Sequence, residues 1–278
     1  MGIVQIVDGL TRDFALRMLT RIFHNYEVSG LAMIFIAAAL EEELKTCTEL
    51  CREVRRMPGP DVPMWQARTA KGDPIAFLRT GVGPEKSTAR IRKAFDWIDP
   101  DLMLIAGYAG ALDPDLKIGD LVAVTNATAF RLNEKHPDWN HIEADTPFDL
   151  ASVDALMNAG TTGLSIFKGS ILSSRHVLGN PEHKNLLFRR FQASVVDMET
   201  AFLAREAVAR KIPVSALRVI SDTARDSFLE PFEYDPDLKL ADRARKLLRT
   251  GPVNSWREWK NRAATARAAL RRFWEIYL

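Results

Sequence analysis

The sequence predicts an α/β protein: one domain built on a mixed, largely parallel twisted sheet with helices on both faces. Three observations predict it. Short, dense apolar runs recur, at Met33 to Ala38, Leu102 to Ile105 and Val214 to Ile220, each with the length of a strand buried on both sides. Helix-forming stretches separate them, the alternation a parallel sheet requires. A chain of 278 residues, 47% hydrophobic and 27% charged, is long enough for a sizeable core and has an ordinary globular balance.

In chain order, residues 1–32 form a prefix with one amphipathic helix, in which Leu10, Phe14, Met18 and Ile22 recur every fourth position. The first core strand, Met33 to Ala38, is followed by a helix opening on Glu41, Glu42 and Glu43, where negative charge suits the N-terminal dipole. A hairpin around Lys71, Gly72 and Asp73 leads into a strand at Ile75 to Leu78. Gly81-Val82-Gly83-Pro84 is a glycine turn entering a helix over Glu85 to Ile98, with proline at an early helical position. The strand Leu102 to Ile105 then gives way to a loop, Gly107 to Ala111. Further strands are expected at Leu121 to Val124, Gly169 to Leu172 and Val214 to Ile220, with helices near 150–158 and over Glu199 to Arg210. From Asp237 onward the tail is helical, and Trp256, Trp259, Ala263, Ala266, Leu270, Phe273 and Tyr277 draw one apolar stripe. The expected organisation is therefore a helical extension over 1–32, a body over 33–236 and a basic amphipathic helical extension over 237–278.

The net charge of +2 points to no particular partner, and nucleic acid is not expected. Its distribution is uneven: from Lys239 to Leu278 eleven Lys/Arg face three Asp/Glu, so the basic character belongs to the tail. Two readings of the tail stand. Its stripe packs on the chain's own domain or a second subunit, or it lies as a basic, tryptophan-bearing helix on an anionic membrane surface. Two cysteines, Cys47 and Cys51, are too few for a disulfide framework and fit a reducing cytoplasm. No His/Cys cluster has metal-ligand spacing, so neither a metal nor a cofactor is expected. The longest apolar run, Leu31 to Leu40, stops at three glutamates, short of the ~20 residues a membrane span needs.

Three acidic residues stand where apolar strands end: Glu43, Glu199 and Asp222. Ligands of open α/β sheets bind outside the carboxyl ends of strands, so all three can meet in one pocket, although each taken singly also reads as a surface or capping carboxylate. The glycines at 81–83 and 107–110 permit close backbone approach to a ligand, but neither set is a dinucleotide fingerprint and no P-loop occurs.

Six segments together resemble the nucleoside phosphorylase and nucleosidase superfamily, most of all its 5′-methylthioadenosine/S-adenosylhomocysteine nucleosidases. They are Ala37 to Glu43, Thr80 to Gly83, Ala106 to Leu112, Ile118 to Val122, Val196 to Glu199 and Ile220 to Asp222. The likeness covers about residues 33–225, and that family's chains would begin near Met33, so 1–32 is read as an added segment or an upstream start. The resemblance implies hydrolysis of an N-glycosidic bond through a ribosyl cation-like transition state. Asp222 matches the general acid that protonates adenine at N7, and an apolar strand before it favours a carboxyl that keeps its proton. Glu199 matches the residue gripping the ribose hydroxyls, and Glu43 the one that orients and deprotonates water. Met198 would pack on the sugar, Gly110 falls at a ligand-contacting position, the backbone of Leu178 would recognise adenine, and Ser221 would help fix the acid. Relatives form homodimers, which is the expectation here too.

Two departures bear on substrate. Tyr108 stands where those nucleosidases have a small hydroxyl residue, and Val177 replaces an aromatic that stacks on the base. Phosphorolysis is the nearest competing reading. It calls for arginines near the glycine loop to hold phosphate, whereas Ile105-Ala106 precedes Gly107; Arg79 and Arg175 are the remaining candidates. The chain is also similar to hopanoid-associated purine nucleosidases, which carry a basic helical tail and release adenine from a nucleoside joined to a large lipid. A nucleoside-binding module without turnover is the non-enzymatic alternative. Among the histidines, His176 lies nearest the expected base pocket.

Overall fold

A computed structural model describes residues 33–59, 61–132, 139, 141–151, 156–157, 164–227 and 253–278, with side chains of the last stretch described from 261 onward. The expected prefix helix, most of the expected helix at 150–158, His136 and the start of the tail lie outside the described residues.

The apolar runs form strands in the order expected. β1 (Ile34–Ala38) is buried along its whole length and lies between β4 (Pro74–Arg79) and β5 (Leu102–Ala111), parallel to both. β5 is also parallel to β11 (Val214–Asp222). β2 (Arg52–Arg56) and β3 (Met64–Arg68) extend this edge by antiparallel pairing, β3 and β4 forming the hairpin expected around Gly72. On the other side β11 pairs antiparallel with β6 (Leu121–Arg131), which runs parallel to β9 (Ile166–Ser173), itself parallel to β10 (Val195–Asp197). β10 then pairs back onto β5, so five strands, β5, β11, β6, β9 and β10, close into a ring. Two short strands, β7 (Glu143–Ala144) and β8 (Phe148–Asp149), pair with β6.

The described helices are α1 (Glu41–Thr48), α2 (Pro84–Phe95), α3 (Pro181–Phe191), α4 (Thr200–Ala209) and α5 (Val253–Tyr277). α2, expected to reach Ile98, ends at Phe95. α3 has no counterpart in the sequence expectation.

One expectation is corrected outright. Residues 107–111, read as a loop for their glycines, continue β5. The segment is paired on both sides, Tyr108 and Ala109 against Val219 and Ile220, and Gly110 and Ala111 against Val196 and Val195. Its small residues leave room for carboxylates where ordinary side chains would stand.

The tail takes the first of its two readings wherever it is described. Ala266, Leu270, Phe273, Trp274 and Tyr277 are buried in one cluster with Leu44 and Cys47 of α1 and Leu217 and Val219 of β11. The stripe therefore packs on the chain's own domain, by apolar burial that contributes roughly 1.5–3 kcal/mol for each large side chain. Arg271 with Glu49 and Arg262 with Asp226 add ion pairs at its rim. Among the described residues no helix is long and apolar enough to cross a membrane.

Candidate active site

One cleft of about 200 Å³ opens at the carboxyl ends of β1, β5, β10 and β11. Glu43, Glu199 and Asp222 all line it, each carried by a different element. So do Gly110, Leu178, Met198 and Ser221. The seven positions singled out in the sequence thus surround one space.

Glu43 sits in the first turn of α1 and is buried. Its two oxygens accept backbone N–H groups, Oε1 from Tyr108 at 2.7 Å and Oε2 from Leu40 at 2.7 Å. Burial pushes its carboxyl up to about 7, against the pull of the Arg218 guanidinium and of the two N–H donors. Glu199 caps the start of α4, where Gly83 N–H donates to its Oε1 at 2.8 Å. Burial, and next the Asp197 carboxylate, push Glu199 up to about 8. Two carboxyl groups that release protons near neutrality are thus held in one cleft, a common mark of a reactive site.

Arg218 answers this acidity. It lies inside β11, 1% exposed, and pairs with Asp197 Oδ2 at 2.5 Å. Its Nε and terminal nitrogen donate to Thr200 Oγ1 at 2.9 and 2.7 Å. Asp197 is completed by Ser173 Oγ at 2.5 Å and by the Thr200 N–H and hydroxyl. Gly107 is what lets this cation meet Glu43: a Cβ there would stand 2.5 Å from Glu43 Oε1 and 2.6 Å from the guanidinium. Sequence reasoning gave Arg218 no role. The signal was present all the same, because an arginine within Leu217-Arg218-Val219-Ile220 must be paired when that strand is buried.

Asp222, the last residue of β11, follows a register shift after Ile220 that aims it at Gly110. The sequence led us to expect an apolar setting for this carboxyl; the structure brings it a cation. Lys184 of α3, 0% exposed, donates to Asp222 Oδ2 at 2.5 Å and to the Thr223 carbonyl at 2.8 Å. Ser221 Oγ donates to Asp222 Oδ1 at 3.0 Å. Gly110 is needed because a Cβ there would stand 2.7 Å from Asp222 Oδ2. The missed helix had its own signature, Asn180-Pro181-Glu182: Asn180 accepts the Glu182 N–H at 2.8 Å, proline follows, then an acidic residue.

The remaining candidates divide. His176 and Val177 line the cleft beside Leu178. Tyr108 reaches the cleft, but its ring packs into the cluster shared by α1 and α5, and its hydroxyl is buried with no hydrogen-bond partner among the described residues. It therefore props the wall behind Glu43 more than it fills the space in front. Arg79 pairs with Glu41 at 3.0 Å and Arg175 pairs with Glu85; among the described residues no arginine or lysine lines the cleft. Nor do the described residues hold a group of three His, Cys, Asp or Glu suited to a metal ion.

Comparison with known proteins shows the family and the fold. The model of the phosphorylase superfamily matches residues 34–250. A 5′-methylthioadenosine/S-adenosylhomocysteine nucleosidase of Staphylococcus haemolyticus is 23% identical over 201 residues, covering 69% of this chain and 87% of the relative. The aminodeoxyfutalosine nucleosidase of Campylobacter jejuni is 25% identical over 209 residues, covering 73% and 90%. Among solved structures, a Helicobacter pylori 5′-methylthioadenosine/S-adenosylhomocysteine nucleosidase in complex with a pyrrolidine ligand superposes with a TM-score of 0.60 at 26% identity, over 70% of this chain and 87% of that one. The Neisseria meningitidis nucleosidase, at 18% identity, has the same fold with a TM-score of 0.66 over 87% of this chain and 96% of its own. With a cleft walled by the ends of four strands and a family match that spans most of its length, the chain belongs to the phosphorylase superfamily.

Proposed function

We propose that this protein is a nucleosidase that uses water to release adenine from an adenosine-type nucleoside substituted at its 5′ position, of the methylthioadenosine and S-adenosylhomocysteine kind. The observation that carries the reading is the convergence of Glu43, Glu199 and Asp222 on one cleft that no arginine or lysine lines among the described residues.

In this mechanism Asp222 gives its proton to N7 of adenine as the N9–C1′ bond breaks, so the electron pair leaves with a neutral base. Glu199 takes hydrogen bonds from the ribose hydroxyls. Positive charge growing on the sugar is stabilised by its ionised form. Glu43, titrating near 7, is available as a base at neutral pH; it accepts a proton from water as the water oxygen bonds to C1′. The Leu178 backbone recognises the base, Met198 packs on the sugar, and Gly110 and Ser221 keep the acid in place. Charge supports hydrolysis over phosphorolysis: a phosphate dianion entering here would meet four carboxyl groups, Glu43, Asp197, Glu199 and Asp222, and, among the described residues, no cleft-lining arginine or lysine.

The test incubates purified protein with methylthioadenosine, S-adenosylhomocysteine, aminodeoxyfutalosine, adenosine and inosine, with and without phosphate. Adenine release in phosphate-free buffer is the expected result, and the preferred member of the panel identifies the 5′ group. Strict phosphate dependence makes the protein a phosphorylase, and tight binding without release makes it a binding module. Asp222→Asn should abolish turnover in a folded protein; near-normal rates in that variant remove the acid assignment.

A further inference from the structure

We infer that Lys184 is a positioning residue for the general acid: its buried ammonium holds Asp222 in place and meets the negative charge that appears there when the proton leaves for the base.

The inference rests on the hydrolytic reading above and on the arrangement behind the cleft wall. Lys184 does not line the cleft, so it acts through Asp222 and not on the nucleoside. Its contacts with Asp222 Oδ2 at 2.5 Å and the Thr223 carbonyl at 2.8 Å fix the end of β11 from the far side. With Gly110 closing in on Oδ2 and Ser221 on Oδ1, the carboxyl has little freedom to turn.

Burial makes a purely structural role for this lysine expensive. It shares the inner face of α3 with the buried Leu187, one turn further on, and α3 packs within the apolar cluster of Leu172, Leu178 and Val196. An aliphatic side chain of equal length would serve packing there at far lower desolvation cost. What an aliphatic chain cannot do is answer charge. During the reaction the proton passes from Asp222 to N7, the N9–C1′ electron pair goes to the base, and the carboxyl group becomes a carboxylate. A preorganised ammonium 2.5 Å from Oδ2 stabilises that product of the proton transfer, so the interaction strengthens along the reaction coordinate. The placement also couples two parts of the site, because α3 begins directly after the loop through which Leu178 lines the cleft.

The test compares adenine release from methylthioadenosine by the full chain with that of Lys184→Met and Lys184→Gln, and compares methylthioadenosine binding by Asp222→Asn with binding by the same lysine variants made in that background, with circular dichroism as the check on folding. Both single variants should lose about a hundredfold in kcat with KM within about threefold of the parent, the cost typical of removing one preorganised stabilising group. In the Asp222→Asn background, where turnover is gone, the same changes should leave methylthioadenosine binding within about threefold, because the lysine acts on the nucleoside only through that acid. Lys184→Gln keeps a hydrogen-bond donor while removing charge, and it carries the test if Lys184→Met does not fold. A single-variant kcat within about threefold of the parent overturns the inference, as does a loss of more than about tenfold in methylthioadenosine binding when the lysine is changed in the Asp222→Asn background, which is the mark of general structural damage. Failure of the parent protein to release adenine would instead strike at the hydrolytic reading itself.

Discussion

Replacing Glu199 by glutamine should make the unliganded protein more stable at alkaline pH. An ordinary glutamate titrates at 4.5, and Glu199 is pushed up to about 8, by burial first and then by Asp197. Below about pH 4.5 the group is protonated in both folded and unfolded chains. Between that point and about pH 8 the folded state keeps a proton the unfolded chain has released, so wild-type stability falls across this window and levels off above it. At about 1.36 kcal/mol for each pKa unit, the whole difference sets a ceiling of ~5 kcal/mol. Glu199 shares its field with Asp197, Glu43 and Arg218, so we assign about half of that to the single site, ~2–3 kcal/mol. Glutamine keeps an acceptor for the Gly83 N–H and does not titrate. At ~2–4 °C for each kcal/mol in a domain of this size, Glu199→Gln should melt ~5–10 °C above wild type at about pH 8, and the gap should close toward about pH 5. Thermal unfolding followed by fluorescence from about pH 5 to 9 measures this directly. Parallel curves for the two proteins would refute the reasoning, because they would mean that Glu199 titrates alike folded and unfolded.

The remaining predictions concern the same walls. The pH profile of kcat/KM should rise through about pH 7, where Glu43 becomes an available base, and Glu43→Gln should remove activity across the whole range. Gly110→Ala puts a Cβ 2.7 Å from Asp222 Oδ2, so the carboxyl must move, and kcat should fall by ~100-fold while the protein stays folded. Arg218→Met strips Asp197 of its buried partner and should cost ~3–5 kcal/mol in chemical denaturation; a loss below ~1 kcal/mol would contradict the pairing. Trp274→Ala empties a fully buried site between α5 and the domain and should cost ~3–5 kcal/mol by the same measurement.

Much of this molecule was legible in its sequence, and the gaps have physical causes. β1, β5 and β11 announce themselves because strands buried on both faces leave continuous apolar runs. Glu43, Glu199 and Asp222 stand out because a charge directly after such a run must face something. Lys184 and Arg218 did not stand out, since what makes them part of the site is a partner distant in sequence: Lys184 meets Asp222 and Arg218 meets Asp197 only when helix and strands are stacked. The stretch 107–111 misled for a related reason. Glycine and alanine lower strand propensity locally, yet pairing on both edges overrides that preference, and their smallness admits the carboxyl groups of Glu43 and Asp222.

The C-terminal helix carries one more consequence. It lies past residue 250, where the match to the superfamily stops, yet its inner face seals the two elements that bear Glu43 and Asp222. A recombinant version trimmed at the family boundary would uncover Leu44, Cys47, Leu217 and Val219 together, leaving a greasy scar directly behind the reaction centre. What looks in the sequence like an appendage is a retaining wall, and it cannot be exchanged or deleted as a module without rebuilding the chamber it supports.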